Sequence, residues 1–151
     1  MSFQLDQAIG MHVNRTAFLM SEEIAKRFSA YGHQLSAQDF GILFRLSQQS
    51  YMTQGELAAA MNRDKTTITR RLDGLVKKAL VERSPDPNDR RYYRISLTAT
   101  GSIALGELVP LVSTFQQELL KDIPAAEQEI TINTLKHITK QLLQLKNRGA
   151  Q

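Results

Sequence analysis

The hydrophobic period of this chain changes once, near Leu80, and the change decides what fold it can adopt. Upstream, apolar residues recur every three or four positions, as on a helix face. Across residues 80–83 and again across 93–97 they alternate every second position, the spacing of strands. Between the two runs lies Ser84-Pro85-Asp86-Pro87-Asn88-Asp89-Arg90-Arg91, where two prolines with Asn and Asp exclude helix interior and make a turn. The segment reads as a two-stranded β-hairpin with a charged tip.

Two helices precede that hairpin, separated by a very short turn. Thr53-Gln54-Gly55-Glu56 has the form of a capping box opening a short helix through Leu57, Ala58 and Met61. Asn62 suits the left-handed residue that stops it, and Asp64 starts the next helix, striped by Ile68, Leu72, Leu75, Val76 and Ala79. So short a connection makes the two helices cross steeply. Helix, turn, helix and hairpin in this order spell a winged helix-turn-helix over residues 35–99. Its first helix begins at Ser36-Ala37-Gln38-Asp39, an N-cap followed by an acid in the first turn, and buries Phe40, Leu43, Phe44 and Leu46.

The flanking regions, 1–34 and 100–151, are helical by the same arithmetic. Leu5, Ile9, Val13, Ala17, Met20, Ile24 and Phe28 form one stripe of a single long helix that Gly32 and His33 end. Thr98 caps another, from Ala99 to about Lys121, carrying Ile103, Leu105, Leu108, Val112, Phe115, Leu119 and Leu120, with Pro110 expected to kink it. Pro124 opens the last, striped by Ile130, Leu135, Ile138, Leu142 and Leu145, and residues 147–151 are expected to fray. Stripes this extensive exceed what the winged region can cover, and apolar patches of that size are rare on monomers. The expected architecture is mainly α with a small β-hairpin wing: one domain, 1–151, in which dimerisation helices flank the winged helix-turn-helix. The interface residues expected are Leu5, Ile9, Val13, Phe115, Leu119, Ile130, Ile138, Leu142 and Leu145.

Charge supplies the functional direction. The formal net charge is only +4, yet residues 62–94 hold ten basic and five acidic groups, while the remainder holds nine and ten. A concentrated basic field attracts a polyanion even on a mildly charged molecule. In a winged helix-turn-helix the second helix enters the major groove, about 12 Å wide, with its N-terminal residues nearest the base edges. Those residues are Arg63, Lys65, Thr66, Thr67, Thr69, Arg70 and Arg71. Arginine reads guanine bidentately, threonine offers a hydroxyl and a methyl, and lysine holds phosphate. At the hairpin tip Arg90 and Arg91 are placed for a narrow minor groove, whose negative potential favours guanidinium, with Asp89 close enough to orient one of them.

Composition excludes other classes. With no cysteine there is no disulfide framework, thiolate metal site, cysteine nucleophile or thiol redox sensor. His12, His33 and His137 lack metal-ligand spacing, so no metal or cofactor is expected. Neither a Gly-rich phosphate loop nor Gly-x-Ser-x-Gly is present, which leaves no catalytic arrangement to assign. The first residues lack the charged and apolar regions of a signal peptide, and no apolar run approaches the roughly 20 residues of a membrane span. A cytoplasmic protein without membrane contact is expected.

The chain also resembles the MarR transcriptional regulators over nearly its whole length. Thr53-Gln54-Gly55-Glu56-Leu57-Ala58 followed by Asp64-Lys65-Thr66-Thr67-Ile68-Thr69-Arg70 is similar to that family's helix-turn-helix, and residues 77–83 to its passage into the wing. Asp86-Pro87-Asn88-Asp89-Arg90-Arg91, then Leu97-Thr98-Ala99-Thr100-Gly101, is similar to its wing signature and next helix. Where many members carry glycine after the Lys-Lys pair, this chain has Ala79. The resemblance implies a homodimer that binds a pseudopalindromic operator in double-stranded DNA, with Arg91 entering the minor groove braced by Asp89. It further implies a repressor of nearby genes, released by a small ligand such as an aromatic acid. The pocket would lie between the dimerisation helices and the winged region, lined by His12, Arg15, Phe40 and Phe44. The competing reading is a winged-helix protein-interaction module that does not bind DNA.

Overall fold

The computed structural model describes residues 2–149. Among them are six α-helices and a three-stranded antiparallel sheet: α1 (Ile9–Ala30), α2 (Ala37–Ser47), β1 (Met52–Thr53), α3 (Gln54–Met61), α4 (Lys65–Lys77), β2 (Val81–Pro85), β3 (Tyr93–Leu97), α5 (Ala99–Leu120) and α6 (Ala125–Gly149). The chain divides into two compact units, with the boundary between Val112 and Ser113, inside α5.

The first unit contains the winged helix-turn-helix. Its core is made of Phe28 from α1, Ile42, Leu43 and Leu46 from α2, Leu57 from α3, Ile68, Leu72 and Leu75 from α4, Ile95 from β3 and Leu108 from α5. Removing these side chains from water supplies the main drive for packing the short helices together, each worth about 1.5–3 kcal/mol. The sheet order is β1-β3-β2, with Val81 opposite Leu97, Arg83 opposite Ile95, and Met52 opposite Ile95 on the other side. The expected hairpin is thus joined by a third strand. Two residues are too few to show alternation, so β1 leaves no periodic signal of its own.

The helix ends carry most of the local instructions. Ser36 and Asp39 form a reciprocal capping box at α2, with Asp39 N donating to Ser36 Oγ at 3.1 Å and Ser36 N donating to Asp39 Oδ2 at 2.9 Å. At α3 the expected box is reduced to one bond, Glu56 N donating to Thr53 Oγ1. Three helices end in paired reverse bonds around a left-handed residue: Gly32 (φ 87°), Asn62 (φ 53°) and Ala79 (φ 59°). Glycine and asparagine tolerate that conformation, whereas the alanine Cβ crowds the following carbonyl. Replacing Ala79 with glycine removes the clash at the cost of a freer unfolded chain. The expected result is a gain of about 0.5–1 kcal/mol, read as a rise of about 1–4 °C in Tm.

Several expectations are corrected by packing. The N-terminal helix is not continuous: residues 5–7 form a 3-10 turn, Ala8 is extended, and only Ile24 and Phe28 of the α1 stripe are buried. Phe44 lies outward at 44% exposure, and Ile42 takes the buried place. Ile103 is likewise exposed, because α5 turns Ala104, Leu105 and Leu108 inward. The last helix does not fray at 147–149 but stays helical to Gly149; residues 150 and 151 lie outside those described. In the second unit α6 buries none of its side chains, and Ile130, Leu135, Leu142 and Leu145 are exposed along it.

Candidate nucleic-acid interface

Asp64 starts α4 by accepting the Thr67 amide on its Oδ1 at 2.6 Å. The inward face is Ile68, Leu72 and Leu75. Helical geometry then places Thr66, Arg70, Asp73 and Lys77 on the opposite face, and all four are exposed. Arg63 and Lys65, at the start of the helix, are exposed as well. The remaining basic and hydroxyl positions lie on the flanks and are tied to neighbours. Thr69 Oγ1 donates to Lys65 O at 2.7 Å and accepts from Gln54 Nε2 of α3. Arg71 Nη1 donates to Ser36 Oγ at 3.3 Å and lies 3.9 Å from Asp39 Oδ1. Thr67 is half-buried, its amide committed to the cap.

The acid on the outward face is also engaged. Arg83 of β2 donates to Asp73 Oδ1 at 2.7 Å, which links α4 to the base of the hairpin. Neutralising Asp73 leaves Arg63, Lys65, Arg70 and Lys77 to set the sign of the field there. Gln54 and Arg83 carry no signal in the sequence, since their partners are 15 and 10 residues away along the chain. A cavity of about 520 Å³ opens between the start of α2 and α4, lined by Ser36, Asp39, Thr67, Arg70, Arg71 and Lys78 among others.

The wing is a closed and braced loop. Asp86 N donates to Tyr92 O at 3.0 Å, and Tyr92 N to Asp89 O at 3.1 Å. Inside it Asp89 grips Arg91 by both carboxylate oxygens, Nε to Oδ1 at 3.0 Å and Nη2 to Oδ2 at 2.8 Å, while Oδ1 also accepts the Arg91 amide at 3.1 Å. This fork holds the Asp89 carboxyl below the usual carboxylate range and raises Arg91. A carboxylate so lowered keeps its grip at every pH above its ordinary value and loses it only on acidification through the lowered one. The Arg91 side chain is nevertheless 82% exposed, so it is aimed outward rather than folded away. Arg90 beside it is exposed too. Behind the tip, Arg94 stacks on Tyr51 with its guanidinium carbon 4.0 Å from the ring centroid, and its Nε lies 3.5 Å from Asp86 Oδ2. That stack fastens the hairpin to the segment before β1.

The other expected residues are more scattered. Phe40 and Phe44 do come together, ring centroids 6.0 Å apart, with Phe28 a further 6.1 Å from Phe40. His12 instead donates from Nε2 to the carbonyl of Asp6 at 2.6 Å, and Arg15 is exposed on α1. Leu5, Ile9 and Val13 in the first unit, and Leu119, Ile130, Leu142 and Leu145 in the second, are exposed, whereas Phe115 and Ile138 are half-buried. Among the described residues no group of three or more side chains is arranged to hold a metal, and no helix is long and apolar enough to cross a membrane.

The chain is similar to several known proteins. The MarR family model matches residues 35–93, the span from the start of α2 into β3. The Multiple antibiotic resistance protein MarR of Escherichia coli (strain K12) is 34% identical over 110 residues, covering 72% of this chain and 74% of that protein. The HTH-type transcriptional repressor NicR of Pseudomonas putida is 28% identical over 126 residues, or 83% of this chain and 78% of NicR. In fold the chain is similar to the transcriptional repressor CouR bound to a 23-mer DNA duplex, with a TM-score of 0.82 at 22% identity over 92% of this chain and 99% of CouR. Sequence and fold agree over the same helix-turn-helix and wing, and the chain belongs to the MarR family of transcriptional regulators.

Proposed function

We propose that the protein is a homodimeric, sequence-specific DNA-binding regulator that represses nearby genes and is released by a small ligand. The observation that carries this reading is the pairing of an outward basic face on α4 with an exposed, carboxylate-braced Arg91 at the wing tip. In it, Arg70 and Thr66 read base edges, Arg63 and Lys65 hold phosphates, and Arg91 enters the adjacent minor groove. Arg90 and Lys77 add to the phosphate field. A protein-interaction wing would have no use for cations collected on these two elements, which disfavours that alternative.

Dimerisation is supported by the apolar side chains left in water on both units, including Leu5, Ile9, Ile130, Leu142 and Leu145. A two-fold dimer presents its two groove-reading helices about 34–36 Å apart and matches a pseudopalindromic operator. Replacing Leu142, 59% exposed on α6, with Glu places a charge in that interface without touching a monomer core. The expected outcome is conversion toward monomer in sedimentation equilibrium, with loss of operator binding. A variant that stays dimeric would move the interface elsewhere.

For the effector, the cavity between α2 and α4 is a better seat than the expected set of His12, Arg15, Phe40 and Phe44, of which Phe40 and Phe44 come together while His12 bonds to Asp6 O. The cavity is concave and lined by Arg70, Arg71 and Lys78 beside Asp39, and an organic carboxylate there competes with phosphate for Arg70. Binding is tested by titrating fluorescent duplex, either the region upstream of the gene or one enriched from a random pool, at several salt concentrations. A DNA-binding dimer gives two protomers per duplex and a slope near −0.9 per neutralised phosphate. Absence of binding at low salt overturns the reading.

A further inference from the structure

Arg71 belongs by sequence to the basic row at the start of α4, yet its guanidinium is turned away from the outward face. It reaches both members of the α2 capping box, donating to Ser36 Oγ at 3.3 Å and standing 3.9 Å from Asp39 Oδ1. The two Asp39 oxygens divide the work: Oδ2 accepts the Ser36 amide at 2.9 Å while Oδ1 faces Arg71. Asp39 is buried at 8% exposure, the one charged side chain so placed among the described residues. Arg71, its own side chain 39% exposed, brings a cation to within 3.9 Å of that withdrawn carboxylate. On the other flank of the same helix, Thr69 accepts from Gln54 of α3. A helix with an apolar face buried and both flanks tied has little freedom to roll about its axis.

We infer that Arg71 is a positioning residue: its strap to Ser36 and Asp39 fixes the rotation of α4, and so decides which side chains of the Thr66–Arg70 face meet the base edges. This rests on the reading of α4 as the groove-entering helix. It assigns Arg71 to specificity rather than to phosphate binding, and makes Asp39, remote from the outward face, part of operator recognition.

The test uses the full-length protein, the duplex that wild type enriches from a random-sequence pool, and a scrambled duplex of equal length. For Arg71→Gln, operator affinity is expected to fall about tenfold. Affinity for scrambled DNA and the slope of log affinity against log salt should stay as in wild type. Asp39→Asn, which keeps an oxygen to accept the Ser36 amide, should act in the same direction, and the double variant should be no worse than the poorer single one. Should Arg71→Gln not fold, Asp39→Asn and Arg71→Lys carry the same comparison. If Arg71 instead bound phosphate, its removal would weaken both duplexes and reduce the slope by about 0.9 for each phosphate no longer neutralised. If it read a base, one position in each half-site would relax and Asp39→Asn would be silent. A structural role alone would lower Tm and leave the ratio of operator to scrambled affinity unchanged. Any of these three results overturns the assignment. If wild type enriches no duplex at all, the DNA-binding reading itself has failed, a result separate from the other three.

Discussion

Replacing Arg91 with alanine is expected to lower operator affinity about a hundredfold or more, since a dimer loses two minor-groove insertions at once. The side chain is almost fully exposed, so the loss should come without a change in Tm. Salt should distinguish its role from that of the neighbouring cations. Removing a guanidinium from the groove also removes phosphate attraction, so the slope against log salt should shrink along with the affinity. Asp89→Ala is the informative companion. It leaves the charge of Arg91 in place but releases the fork formed by Nε and Nη2, so the guanidinium must be ordered when DNA arrives. Affinity should then fall by about tenfold, and the arginine's net attraction for phosphate should be undiminished. Fluorescence anisotropy with a labelled operator measures both. Equal losses for the two variants would mean that Arg91 contributes to binding only when Asp89 holds it.

The second large effect lies where the wing region meets the start of α5. Thr98 N donates to Leu80 O at 3.1 Å, Thr98 Oγ1 donates to Ala79 O at 2.6 Å, and Gly101 N donates to Thr98 Oγ1 at 2.9 Å. This small network fastens the end of α4 to α5, and it brings the Leu80 carbonyl against Gly101. A Cβ at position 101 would stand 2.0 Å from Leu80 O and 2.8 Å from Leu97 Cδ1. The first of these is backbone already fixed by a hydrogen bond, and it cannot step aside as a flexible side chain could. Gly101→Ala should therefore destabilise the protein by about 3 kcal/mol or more, at the upper end of overpacking costs. Thermal unfolding at matched protein concentration should show Tm lower by about 10 °C. Gly106, on the same helix with open space around it, should accept alanine without loss.

What is legible in the chain follows a physical division. Local chemistry can be read directly: Asp64 as the cap of α4, Asn62 as its left-handed predecessor, Thr98 as the cap of α5, and the turn between β2 and β3, although Ser84 and Pro85, expected in that turn, pair with Arg94 and Tyr93 as the end of β2. Each depends on residues within a few positions of one another. The Asp89–Arg91 pair is legible for the same reason. Features built by distant residues are not. β1 exists because Met52 and Thr53 pair with Ile95 and Arg94, and two residues carry no period. The Arg71 strap joins groups 35 residues apart, so in sequence Arg71 looks like any other member of the basic row. Helical spacing also cannot tell a stripe buried at home from one awaiting a partner. The α1 stripe divides between the two, with Ile24 and Phe28 in the core and Ile9 and Val13 in water. Ala79 is visible as a departure from glycine, but its consequence needs the backbone angle, φ 59°.

Whether α4 and the wing of two protomers grip adjacent turns of one duplex is tested most directly by a hydroxyl-radical footprint on an enriched operator. Two protected blocks related by a dyad are predicted, their centres about 34–36 Å or one helical turn apart. Outer minor-groove protection in each block should disappear in Arg91→Ala while the central pattern remains. A single unpaired block, or protection unaffected by Arg70→Ala and Arg91→Ala together, would contradict that mode of binding.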